Sequence, residues 1–204
     1  MTQATGMPYE EILNYWFGRV EQTLVPSEHR ARVWFGEDKK IDAEIKARFE
    51  MVLDDAKAGR LMDWEKSPRG QLALIIVLDQ FSRHIYRNEP KAFEQDERAL
   101  AICLKGLREG SDHSLSLIER VFYYFPLLHA EKLGYQEQSV RSYGTLMDLA
   151  FSETRVIFDS FYKFANHHYS LIKRFGRFPQ RNGPLKREST TPEVEYLKEI
   201  EDGE

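Results

Sequence analysis

The chain has one cysteine, Cys103, among its 204 residues. A single thiol cannot form an internal disulfide or build a multi-thiolate zinc site. Long apolar runs are missing as well. The purest, Leu72 to Leu78, is seven residues long and lies between Gln71 and Asp79. A membrane-spanning helix needs roughly 20, so no membrane segment is expected. Met1 to Pro8 carries no basic residue and no apolar stretch, which speaks against a secretory signal. There is no surplus of positive charge: 29 Lys and Arg stand against 33 Asp and Glu. That balance disfavours a protein that coats nucleic acid.

Motifs are scarce too. The sequence lacks a Gly-rich phosphate loop, a His-Glu-x-x-His and a Gly-x-Ser-x-Gly. No Glu precedes a His by three positions, which removes the di-iron bundle pattern. His129-Ala130-Glu131 matches the His-x-Glu of zinc deaminases, but the Pro-Cys-x-x-Cys partner is absent. Ser-x-x-Lys occurs twice in one helix, from Ser160 and from Ser170, without its companion motifs. No metal site and no cofactor is expected.

The composition is 42% hydrophobic and 30% charged, which points to a folded domain over disorder. With 13 Phe, 10 Tyr and 3 Trp there are too many rings for a coiled-coil seam. Such a length suits one core. The expectation is a single cytoplasmic domain over 1–204, with loose ends at 1–8 and 198–204.

Periodicity predicts helix almost throughout. Ile41, Ile45, Phe49, Val52, Leu53 and Ala56 recur at helical spacing, and Gly59 follows as a stop. Ser67-Pro68 reads as N-cap and first residue of a helix buried on most faces. Pro90 opens the next helix, which ends at Gly110. Pro126 breaks another. Further helices are expected at Gln138 to Leu149 and Thr154 to Phe175, with Gly176 as a stop. Thr191-Pro192 caps a last short one. No stretch alternates like a strand. The prediction is an all-α domain of about seven or more antiparallel helices. Two Trp-Phe-Gly triplets, at 16–18 and 34–36, are 18 residues apart, too close for a helix-pair repeat of roughly 34. They read as aromatic anchors followed by glycine stops. No window meets the tetratricopeptide consensus.

Charge is unevenly distributed. Residues 173–187 hold six cations and no acid, while 188–204 hold seven acids and one Lys. This basic hinge and acidic tail form the clearest compositional feature.

Four clusters place polar groups at the ends of apolar helices. Asp79, Gln80 and Arg83 follow the most buried run, and the spacing lets Asp79 pair with Arg83. Glu119, His129 and Glu131 flank the Pro126 break, where His129 can serve as a base oriented by a carboxylate. His168 lies on an apolar stripe while His167 points about 100° away, so the two cannot chelate one metal. Arg174, Arg177, Arg181 and Asn182 crowd one loop with Phe175 and Phe178, a pattern suited to carboxylate or phosphate. Each cluster also has a structural reading: an ion pair, a core histidine, or cations complementing a helix end.

Taken together, Trp16-Phe17-Gly18, Trp34-Phe35, Leu72 to Arg83, Glu119 to Glu131 and Arg174-Phe-Gly-Arg-Phe-Pro-Gln-Arg-Asn182 resemble domain-of-unknown-function family 924. The resemblance covers roughly residues 9–197. It implies a bacterial, tetratricopeptide-like stack of antiparallel helix pairs. It also implies that Asp79, Gln80, Arg83, Glu119, His129, Glu131, His168, Arg177, Pro179, Arg181 and Asn182 are motif positions. Ser82, His84, Ala130 and Gln180 depart from the family pattern, and Ala130 removes a candidate nucleophile.

The leading expectation is a binding module for an anionic small molecule or acidic peptide, using Gln80, Arg83, Glu119, Arg174, Arg177, Arg181 and Asn182. A second is an enzyme, with His129 or His168 as base, Asp79 or Glu131 as orienting group and Arg177 with Arg181 as anion clamp, acting on a phosphate or carboxylate ester. RNA binding through the Arg/Phe loop is a weaker reading, since the acidic balance opposes it. In the fourth, the same residues form an ionic network that only holds the last helix in place.

Overall fold

The computed structural model describes residues 6–18 and 28–202. Among these residues there is helix and no strand. The α-helices are α1 (Tyr9–Phe17), α2 (Glu28–Phe35), α3 (Lys39–Lys57), α4 (Pro68–Ile75), α5 (Ser82–Ile85), α6 (Asp96–Glu109), α7 (Leu117–Tyr123), α8 (Phe125–His129), α9 (Leu133–Leu149), α10 (Arg155–Phe175) and α11 (Thr191–Glu201). A π-helical segment, Ile76–Phe81, joins α4 to α5 without a break. No helix among the described residues is long and apolar enough to cross a membrane.

The run from 68 to 85 is the axis of the molecule. Ser67 starts it, its hydroxyl accepting from the Gly70 amide at 3.1 Å, and Pro68 follows as first helical residue. Every residue from 70 to 82 is buried. Helices α1, α3 and α6 pack around this axis. Most of its buried polar groups are paired, as the interior requires; the buried Ser82 hydroxyl has no hydrogen-bond partner among the described residues. Gln71 receives the Tyr123 hydroxyl at 2.6 Å and donates to the Glu65 carbonyl at 2.9 Å. Gly106 of α6 makes room for this contact: a Cβ there would lie 1.7 Å from the Tyr123 oxygen.

The two Trp-Phe-Gly triplets end α1 and α2 and then meet. Trp34 Nε1 donates to the Trp16 carbonyl at 3.0 Å. The Phe122 ring lies edge-on to Trp16 at 5.5 Å and 4.8 Å from Trp34. The second triplet is thus a cap on the first.

Several boundaries differ from the sequence reading. The 90–110 segment begins with a 3-10 turn, Pro90–Phe93, and α6 itself starts at Asp96. Pro126 does break its helix, but at a single residue, Tyr124. α9 starts at Leu133, five residues before Gln138. Thr190, one position earlier than expected, caps α11 in a capping box with Glu193. The helix runs to Glu201. At the other end, Met7 packs on the core, and residues 1–5 lie outside the described residues. Gly176 ends α10 in the left-handed conformation, φ 73°, which glycine reaches at little cost.

Candidate functional site

The site grows from the π-helical segment. Its wider turn shifts the faces of the residues that follow, and π-segments often mark functional positions. Here it buries two adjacent polar residues, Asp79 and Gln80. Asp79 has no exposed surface. Gln80 donates to Asp79 Oδ2 at 2.5 Å. One turn on, Arg83 donates to the Asp79 carbonyl at 2.9 Å and stands 3.2 Å from Oδ1. The i, i+4 pair legible in the sequence is therefore present.

His129, the last residue of α8, reaches the same carboxylate from the far side. Its Nδ1 lies 2.8 Å from Asp79 Oδ1 and 3.0 Å from Oδ2. Burial alone would raise the Asp79 carboxyl; Arg83 and His129 override it and hold Asp79 well below the usual carboxylate range. Burial lowers His129, and Arg83 adds to this against the pull of Asp79. The ring is therefore neutral near pH 7. An ionised carboxylate only accepts, so Nδ1 carries the proton and Nε2 carries the lone pair. This is an oriented imidazole of the kind used for general base catalysis.

A second carboxylate ties in the arginines. Asp96, the first residue of α6, receives Arg83 on both oxygens, at 2.8 and 2.9 Å. Arg181, on the 3-10 turn Pro179–Arg181, donates to the same Asp96 at 3.3 Å. Its guanidinium carbon lies 4.9 Å above the Phe93 ring and 4.7 Å from Phe178. Two guanidiniums thus share one carboxylate. Burial, with Arg83 close by, lowers the Arg181 pKa to about 10.

A cavity of about 410 Å³ opens over these groups. His129, Arg181, Asp96 and Phe93 line it, with Glu131, Lys132, Glu94 and Glu97. On another side His129, Gln80 and Arg83 line a smaller space of about 170 Å³, beside His84 and Arg87. His84 and Arg87 are held by Asp42 of α3, at 2.7 Å each.

The other candidates lie elsewhere or are committed to structure. Glu131 accepts the Phe178 amide at 2.7 Å and both Arg187 amino groups at 2.7 and 3.0 Å. Arg187 also donates to Asn182 Oδ1 at 2.9 Å, and Asn182 donates to Ser189 at 3.0 Å. These bonds stitch the 177–189 loop and leave Asn182 buried. Arg177 does not join Arg181 in a clamp. It makes a bidentate pair with Glu193 at 2.7 and 2.8 Å, and so holds the start of α11. Arg174 is exposed, over its neighbour Phe175 at 4.6 Å. Glu119 closes a capping box with Ser116 and pairs with Arg69 at 2.5 Å. His168 is buried, with Nδ1 3.0 Å from the Phe164 carbonyl and its ring edge-on to Phe178 at 5.2 Å. Burial, and then His129, push its pKa down to about 3, so it is a poor base. Among the described residues no three His, Cys, Asp or Glu side chains gather as a metal-holding group.

Of the expected set, Asp79, Gln80, Arg83, His129 and Arg181 converge. Asp96, Phe93 and Arg187 were not singled out. Asp96 reads as an ordinary acid in the first turn of a helix. The available signal was arithmetic: a loop with six cations and no acid needs carboxylates from other segments.

The chain matches the family model described as "Bacterial protein of unknown function (DUF924)" over residues 12–201. It is similar to a solved structure of a protein of unknown function from Agrobacterium tumefaciens, at 29% identity and a TM-score of 0.76. The match covers 94% of this chain and 97% of that one. No curated protein matches the chain.

Proposed function

The chain belongs to this bacterial family of unknown function, and from that premise we propose that the 410 Å³ cavity binds a small anionic molecule, with Arg181 as its anchor. The observation that carries the reading is the state of Arg181. It is largely buried, yet among the described residues its guanidinium makes one long hydrogen bond, to a carboxylate already taken by Arg83, beside its contacts with the Phe93 and Phe178 rings. Its charge is undercompensated, as the lowered pKa reflects. A carboxylate or phosphate in the cavity would accept its remaining donors and relieve the repulsion from Arg83. A charge-assisted contact of this kind is worth about 1.5–3 kcal/mol, or roughly 10- to 150-fold in affinity. The test is calorimetric titration of the full chain with small carboxylates and phosphates. Micromolar to millimolar binding that is lost in Arg181→Met is expected. Failure of the whole panel, or equal binding by Arg181→Met, overturns the reading.

The Asp79–His129 contact favours a second reading at the same cavity, acid–base chemistry on a bound ester. His129 Nε2 would take a proton from water, and Asp79 would hold the ring in the required tautomer. Turnover of a carboxylate or phosphate ester that disappears in His129→Gln while binding persists would establish it. Binding without turnover leaves the chain a binding module.

A further inference from the structure

We propose that a second site, apart from the Arg181 cavity, binds an uncharged amphiphile: an apolar body ending in a carboxamide. It does not depend on the anion site and takes a ligand of another class. Two adjoining spaces form it. One is an apolar groove of about 610 Å³, walled by Trp34 and Phe35 of α2 and by Ile157, Phe161 and Phe164 of α10. Ser160 also lines it, but its hydroxyl is turned back to the Val156 carbonyl at 2.9 Å. The other is the 170 Å³ crevice beside Gln80, Arg83 and His129. Trp34, Phe35 and Phe164 line both, so groove and crevice meet along these rings. Arg181 lines neither.

The crevice ends the groove with polar groups whose charges are already matched. Arg83 is held by Asp96, and His84 and Arg87 share Asp42. What stays open is single hydrogen-bonding atoms. Gln80 is only 5% exposed and spends its Nε2 on Asp79, while its Oε1 has no partner among the described residues. Arg87 reaches Asp42 through Nε and Nη2. Its Nη1 makes no hydrogen bond among the described residues. His129 gives its Nδ1 proton to Asp79, which leaves Nε2 as a further acceptor. The crevice residues thus offer two acceptors and one donor without a net charge to neutralise.

Other ligand classes fit less well. A carboxylate would find both guanidiniums taken and would face the Gln80 oxygen. An ammonium would lie beside Arg83 and Arg87. A plain hydrocarbon would strip water from Gln80 Oε1 and replace it with nothing. A carboxamide gives N–H donors to Gln80 Oε1 and His129 Nε2, and its carbonyl accepts from Arg87 Nη1. Its apolar body then lies in the groove, where aromatic walls favour a ring edge-on or offset. An apolar cleft with a few polar groups at one end is the usual build of a small-molecule site.

The experiment is calorimetric titration of the full chain with 3-phenylpropanamide, its N,N-dimethyl derivative and 3-phenylpropanoate. These share the ring and differ only at the polar end. The primary amide is expected to bind roughly tenfold more tightly than either, since the second has no N–H and the third carries an unmatched charge. Phe35→Ala with Phe164→Ala removes two well-exposed rings. That double variant should weaken the amide roughly tenfold. Arg181→Met should leave its affinity within about twofold. The proposal falls if none of the three binds, if 3-phenylpropanoate or the dimethyl amide matches the primary amide, or if the double variant binds unchanged. Loss of amide binding in Arg181→Met would place the ligand in the other cavity and also overturn it. The anion site stands or fails separately, on its own titration.

Discussion

His129 Nδ1 lies 2.8 Å from Asp79 Oδ1, and that contact joins α8 to the buried axis across 50 residues of sequence. Asp79 is the hub: it also takes Gln80 and Arg83. Removing its charge leaves Arg83 with Asp96 alone and leaves His129 without a fixed tautomer. Asp79→Asn should destabilise the fold by about 3 kcal/mol, the cost of half-removing a buried pair. Urea denaturation measures it. A loss below about 1 kcal/mol would mean that Asp96 alone suffices for Arg83.

Acid should destabilise the chain through its buried histidines. His168 is held neutral, its pKa lowered to about 3 by burial and then by His129. The unfolded histidine titrates near about 6.5. Between these values the unfolded chain binds the extra proton, so stability falls as pH drops from about 6.5 toward 3, by up to about 1.4 kcal/mol per pH unit. His84 and His129 are shifted in the same direction. His168→Leu should flatten the acid limb of a stability–pH curve. An unchanged slope would show that His168 is already protonated in the fold.

Gly106→Ala tests the close packing around Gln71. The added methyl would lie 1.7 Å from the Tyr123 oxygen and 2.7 Å from Gln71 Oε1. Overpacking of this kind costs about 1–3 kcal/mol. Tyr123→Phe in the same chain should recover part of it by removing the nearer atom. Thermal melting of the single and double variants decides, and no recovery would place the strain elsewhere.

Arg177→Ala separates clamp from site. Arg177 holds Glu193, whose pKa it draws down to about 2, and the Glu188 carbonyl. Losing it should free α11 and speed proteolysis after residue 187. Affinity at the cavity should stay within about twofold, because Arg177 does not line it and its bonds go to Glu193 and Glu188. A large loss of affinity would return Arg177 to the anion site.

The helices were mostly legible because their signals are local. Ser67-Pro68 and Gly176 act on the backbone within a turn, whatever the rest of the chain does. Asp79 and Arg83 were legible for the same reason, since four residues of helix place them together. The π-segment was not legible: a seven-residue apolar run reads alike in either helix type. The start of α9 was missed because 133–137, Leu-Gly-Tyr-Gln-Glu, shows little periodicity.

The sequence by itself determined that this chain folds as helices and where most of them end. Hydrophobic spacing and capping are properties of neighbouring residues. Only the tertiary structure decided which partner each charge takes. Arg177 and Arg181 are four residues apart and chemically identical, yet one holds Glu193 and the other leans on Asp96 beneath a cavity. A carboxylate 85 residues away in sequence becomes a neighbour only when helices pack. No local pattern records that geometry.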